Sequence, residues 1–184
     1  MSLTTWQETL VTGQVDGTAL GNSTTATSII PAAAKYTLPA NFFSIGKRLR
    51  LTISGRISNI VTTPGTLTLD VRLGPVVAFN GGAVSLNTTA KTNVTFEAVI
   101  DLTCRAIGNG TSANLIGSGR LTSESVVGAA AGTTLTAMLP ASAPAAGTGF
   151  DSTAAQTVDV FGTWSIANAG NTITVHEYTL EALN

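Results

Sequence analysis

The sequence predicts an all-β chain folded as a two-sheet antiparallel β-sandwich. An eight-stranded jelly roll is the expected architecture and an immunoglobulin-like sandwich the alternative. Three observations lead there. Period-2 alternation of apolar and polar residues recurs, and no stretch of useful length repeats at the helical period. Gly, Pro and Asn clusters separate the alternating runs at spacings of about 10 to 20 residues, which gives eight to ten strands. The chain has 184 residues, enough for one domain with a real core and no need of disulfide staples.

The runs are justified in chain order. From Arg48 to Ile57, Leu49, Leu51, Ile53 and Ile57 share one face, while Arg48, Arg50, Thr52, Ser54 and Arg56 share the other. Thr63-Pro64-Gly65 turns the chain, since Pro presets φ and Gly accepts a positive φ. Gly65 to Leu73 alternates again, with Leu67, Leu69, Val71 and Leu73 against Thr66, Thr68, Asp70 and Arg72. Pro75 to Phe79 reads as a short strand closed by Asn80-Gly81-Gly82. The longest run, Val94 to Cys104, sets Phe96, Ala98, Ile100 and Leu102 against Thr95, Glu97, Val99, Asp101 and Thr103.

After a turn at Gly108-Asn109-Gly110, Ser112 to Thr122 reads as a weaker strand. Gly117 and Gly119 within it mark a bulge or a close backbone approach. Leu135 to Leu139 is a short strand between two Ala/Gly/Ser/Pro-rich segments, of which Pro140 to Thr153 reads as a long loop or arm. Gln156 to Ile166 alternates through Val158, Val160, Trp164 and Ile166, and Asn168 to Asn171 forms a hairpin turn. In Thr172 to Leu180 the apolar parity switches near His176, which implies a bulge or a strand covered on both faces. Residues 18–184 are thus one sandwich domain, and residues 1–17 read as an N-terminal arm able to reach a neighbouring subunit.

Composition removes several functions. Charged residues make up 10% of the chain and the formal net charge is -1, so no basic field exists to hold a nucleic-acid backbone. No apolar run approaches the roughly 20 residues that span a bilayer. Met1 to Glu8 has neither the basic nor the apolar region of a signal peptide. One Cys and one His make neither a disulfide nor a zinc site, so no metal or other cofactor is expected. Thr, Ser, Ala, Asn and Gly replace the missing charge, and such a surface suits a protein covered by neighbours.

Few residues are candidates for chemistry. A catalytic triad would have to use His176, but Glu177 beside it points to the opposite face of a strand, and no Gly-x-Ser-x-Gly elbow is present. Cys104 ends an apolar face and reads as structural. The acids Asp70, Glu97, Asp101, Asp151 and Asp159 are the only material for a paired-carboxylate site. Glu97 and Asp101 lie roughly 13 Å apart along one strand face, too far for that chemistry. The expected reading is an enzyme-free chain whose acids face arginines across strands. Arg48, Arg50, Arg56, Arg72, Glu97, Asp101 and His176 are accordingly the candidate interface residues. Four Asn-x-Ser/Thr matches, at Asn22, Asn87, Asn93 and Asn109, are what chance gives in a Thr-rich chain.

Two stretches carry a resemblance. One is Leu38-Pro39-Ala40-Asn41-Phe42-Phe43-Ser44-Ile45-Gly46-Lys47-Arg48-Leu49-Arg50, followed by Gly55 to Ser58 and by Thr63-Pro64-Gly65 leading to Asp70-Val71-Arg72-Leu73-Gly74. The other runs from Gly149-Phe150-Asp151 through Phe161-Gly162-Thr163-Trp164 to Val175-His176-Glu177-Tyr178. Together they resemble small virion proteins encoded among the structural genes of tailed bacteriophages and prophages, over most of the chain from about Gly17. The resemblance implies a jelly-roll or similar sandwich that forms homotrimers on the outside of the head as a decoration or cement protein. A place in a head fibre or tail is also within its range. It implies partners that are copies of the chain, the major capsid protein or other virion proteins, and a virion location after synthesis in the host cytoplasm. It supplies no catalytic residues.

The alternative function is a receptor- or carbohydrate-binding module of a phage fibre or tail, for which Trp6, Tyr36, Trp164 and Tyr178 are the available aromatics. A pilus or surface-layer subunit would need a secretion signal. An enzyme would need a site that His176 and the acids do not form.

Overall fold

The computed structural model describes residues 6–183. It is an all-β antiparallel sandwich. The described residues form twelve strands: β1 (Gln7–Thr12), β2 (Leu20–Gly21), β3 (Thr27–Ser28), β4 (Thr37–Leu38), β5 (Arg48–Asn59), β6 (Thr66–Leu73), β7 (Val76–Ser85), β8 (Lys91–Ala106), β9 (Asn114–Ser123), β10 (Leu135–Leu139), β11 (Gln156–Trp164) and β12 (Thr172–Leu183). Three of them have two residues each, so the longer strands agree in number with the eight to ten expected. The larger sheet runs β1-β12-β5-β8-β9-β10, with β2 on β12; the smaller runs β3-β11-β6-β7, with β4 on β11.

The pairing is nested. The first strand pairs with the last, β3 with β11, β5 with β8 and β6 with β7. The β9–β10 hairpin is added beside β8 and widens the larger sheet. The core lies between the sheets. Leu49, Leu51, Ile53 and Ile57 of β5 and Phe96, Ala98, Ile100 and Leu102 of β8 meet Leu67, Leu69, Val71 and Leu73 of β6 and Val158, Val160 and Trp164 of β11, all buried. Strict alternation puts these side chains on one face because successive Cβ atoms point to opposite sides.

Three local devices fit the pattern to the fold. In β12 the register slips between Val175 and Glu177, so His176 is the extra residue of a bulge. The bulge resets parity, and Ile173, Val175, Tyr178 and Leu180 all reach the same core. At Gly117 a Cβ would lie 2.2 Å from Cδ2 of Phe79, so the glycine is a close approach and not a bulge. The third device is the segment after β10. Its backbone bonds β7 through Ala141 N–H to Gly81 O (2.8 Å) and Thr148 N–H to Val77 O (3.2 Å). It bonds the free half of β9 through Gly147 N–H to Leu115 O and Phe150 N–H to Ala113 O, both 2.9 Å. Residues 140–152 are therefore a strap joining the two sheets along one side, not an arm. Gly147 is required there, since a Cβ would fall 1.8 Å from Ala78 O.

Several expectations are corrected. Asn80-Gly81-Gly82 does not close β7. It is a bulge opposite Leu69, and pairing with β6 resumes at Ala83. β11 ends at Trp164, and Ile166 is exposed. The segment read as an N-terminal arm lies along the chain's own β12 from Gln7 onward. β1 pairs there, and Gly13 and Gly17 donate to Tyr178 O and Val175 O. Residues 1–5 of that segment lie outside the described residues.

Replacing Gly117 by Ala forces the Phe79 ring out of its place. The expected cost is about 1–3 kcal/mol, as for other overpacked cores, read as a lower denaturation midpoint at unchanged slope. An unchanged midpoint would show that the contact is not tight.

Candidate assembly surface

The outward face of the larger sheet is a ladder in which charged side chains and short Thr and Ser side chains are interspersed. Register places Glu181 of β12, Arg50 of β5, Asp101 of β8 and Ser118 of β9 in one row. The next rows hold Thr179, Thr52, Val99 and Arg120, then Glu177, Ser54, Glu97 and Thr122. The charges are used within the sheet. Arg50 grips Asp101 in a bidentate pair, Nε to Oδ1 at 2.8 Å and Nη2 to Oδ2 at 3.0 Å. Its hydrogen bond to Asp101 raises the Arg50 pKa further above its usual value. Arg48 adds a contact to the same carboxylate at 3.3 Å. Arg120 approaches Glu97 at 3.7 Å, and Glu177 accepts from the Ser54 hydroxyl at 3.1 Å. Arg56, exposed on the same face, forms no salt bridge among the described residues.

Five of the seven candidate interface residues thus share this face: Arg48, Arg50, Arg56, Glu97 and Asp101. Arg72 does not join them. It belongs to β6 in the smaller sheet, where its guanidinium lies 3.8 Å over the Phe161 ring and 3.7 Å from Asp70. His176 sits on its bulge and meets Asp16 through Nδ1 at 2.8 Å. Among the described residues no hydroxyl or thiol bonds the imidazole, so His176 and Asp16 are a pair without a nucleophile.

The remaining acids also have structural work. Asp159 is buried, accepts from Ser28 Oγ and Val160 N–H, and pairs with Lys35 at 2.8 Å. Asp151 closes its own turn by accepting from Thr153, which lowers its pKa. Asp70 is desolvated by burial, and its pKa rises for that reason. Burial likewise raises the Cys104 thiol and the Tyr178 phenol.

One polar cluster was not anticipated. At one end of the sandwich the buried Asn59 amide donates to Asn87 O, Thr89 O and Ile60 O. Buried Asn87 donates to Glu124 O and Ala129 O, and buried Asn171 donates to Pro64 O. Lys91, itself buried, reaches Glu124 Oε1 at 2.6 Å. These amides satisfy loop carbonyls that would otherwise be buried without partners, at about 1–3 kcal/mol each. Burial also removes Asn87 as a glycan acceptor. For Asn87 and Asn171 the signal in the sequence is Asn beside Thr or Gly, which reads equally well as ordinary loop chemistry, and Asn59, between Ser58 and Ile60, carries none.

Among the described residues no three His, Cys, Asp or Glu side chains gather as a metal site. Among the described residues no helix is long and apolar enough to cross a membrane. The chain matches no model of a known protein family, and a search of curated proteins finds no match.

The cluster carries a pH signature. Lys91 and the Gly132 N–H hold the Glu124 pKa below its reference of 4.5. A depressed carboxylate stabilises the fold fully above its unfolded value, and that contribution is lost as pH falls through the folded value. Wild type should therefore lose stability more steeply than Glu124→Gln below pH 4.5. Asp70, whose shift has the opposite sign, is common to both proteins. Parallel acid limbs in chemical denaturation would contradict the assignment.

Proposed function

We propose that the chain is a structural component of a bacteriophage virion, a decoration or cement protein that binds the outside of the head and stabilises it. The observation that carries this reading is the outward face of the larger sheet. It is wide, it mixes Thr and Ser with charged residues, and most of those charges are paired with neighbours in the same sheet. A partner covering such a face strips water from few unpaired charges, and uncompensated burial of charge is one of the costs that oppose association.

The nested strand order supports the jelly-roll form of the sandwich. Strands β1-β12-β5-β8 face β3-β11-β6-β7, the arrangement made when a long antiparallel hairpin is rolled into two sheets. β9 and β10 extend that plan. The resemblance of the Leu38–Gly74 and Gly149–Tyr178 regions to virion proteins supplies the biological setting.

The mechanism is mechanical. Subunits that bridge neighbouring capsomers add contact area that must be broken before the shell opens under the pressure of packaged DNA. The carbohydrate-binding alternative has less to build on. Trp164 and Tyr178 are fully buried in the core, which leaves Trp6 and Tyr36 as possible sugar platforms.

The test uses particles purified without the chain. Added protein should cosediment with them to a similar extent at low and high salt, and should raise the temperature at which they release DNA. Binding that vanishes at high salt would point to charge-driven docking. Equal release temperatures would remove the cement role.

A further inference from the structure

The sandwich has several open strand edges, and all but one are guarded. β1 carries Glu8 and a register shift at Leu10. β3 and β4 have two residues each. β7 carries two register shifts and is covered by the strap. Short length, charge, bulges and covering segments are the means by which proteins keep edges from pairing with another chain. β10 has none of them. Its five residues, Leu-Thr-Ala-Met-Leu, pair with β9 on one side only, without a bulge. No backbone partner lies on its other side among the described residues.

The surroundings are equally bare. The 26 residues from Ser125 to Phe150 include no charged side chain. Leu135, Met138 and Val127 are 42%, 69% and 48% exposed on this flank. Beside β10 runs a groove of about 500 Å³ lined by Val84, Val126, Val127, Ala137 and Met138.

We infer that β10 pairs antiparallel with β10 of a second copy across a two-fold axis, joining two of the larger sheets edge to edge. Charge selects this occupant. The β1 edge would bring Glu8 against an uncharged flank, and the outward sheet face would bring Arg48, Arg50 and Arg56. The 125–150 flank of a second copy brings none, and Arg120, opposite Met138 on β9, is engaged by Glu97 of its own sheet. Register follows from the pleat, because residues opposed in an antiparallel pair must share a face. Centring the axis on Ala137 satisfies this and uses all five residues. Leu135 then opposes the partner's Leu139, Thr136 opposes the partner's Met138, and the small Ala137 faces its own copy. This inference concerns the purified chain and does not rest on the virion reading.

The experiment is the solution mass of the full chain by sedimentation, with two variants. Wild type should run at about twice 18.6 kDa. Met138→Lys places a charge on an exposed edge side chain, so it should halve the mass at unchanged circular dichroism. Ala137→Cys should form a disulfide with its own copy on mild oxidation, since Cα atoms opposed in an antiparallel pair lie about 4.5–5.5 Å apart, within disulfide reach. Cys104 is buried and does not compete. A monomeric wild type overturns the inference. So does a larger assembly whose mass Met138→Lys leaves unchanged and in which Ala137→Cys does not cross-link.

Discussion

The strap between the sheets is the constraint on which the rest of the molecule depends. Adding the β9–β10 hairpin widens the larger sheet, and β10 covers only the Gly119–Ser123 half of β9. The other half of β9 and the edge of β7 would both be left open. Residues 140–152 close that gap with backbone groups alone, bonding Gly81 and Val77 on one side and Leu115, Ala113 and Gly108 on the other. Each such bond contributes about 1 kcal/mol net, but leaving its donor or acceptor buried and unmade costs more. An Ala/Gly/Pro-rich sequence suits this task, because side chains would keep the backbone from both edges. Gly147 against Ala78 O is the clearest case.

A second constraint follows from the shortage of charge. With 10% charged residues, the chain meets its buried polar needs largely with neutral amides and hydroxyls. Asn59, Asn87 and Asn171 hold loop carbonyls at one end, and Ser152 ties the strap to Gly108. Many of the charges that remain are placed in pairs, several of them within one sheet. Half-exposed pairs such as Arg50–Asp101 contribute only about 0.5–1 kcal/mol to folding. Under the proposed function, their larger effect is to leave a face that a neighbour can cover with little desolvation of unpaired charge.

The legible parts of the sequence were those governed by strict alternation. The faces of β5, β6 and β8 follow from period 2, and the parity switch at His176 implies a bulge or a strand covered on both faces, of which the structure has the bulge. Asn80-Gly81-Gly82 was misread because Asn-Gly is the strongest short hairpin signal, while β6 continues past it and makes it a bulge. Parity assigns a residue to a face but not to a sheet, so Arg72 was grouped with Arg48 and Arg50 although β6 lies across the core from β5. Asp16–His176 and Lys91–Glu124 join distant parts of the chain, and no local pattern announces such pairs. The strap was legible as composition only; its bonds depend on where β7 and β9 come to lie.

The proposed reading is of a subunit that works by covering and being covered, and fold, charge placement and resemblance are what support it. The most direct measurement is electron cryo-microscopy of virions assembled with and without the chain. The result expected is added density on the outside of the shell, with the outward face of the larger sheet, the Arg50–Asp101 row included, against the capsid lattice. Particles identical in the two preparations, or density in which that face points to solvent and the smaller sheet makes the contact, would contradict the account.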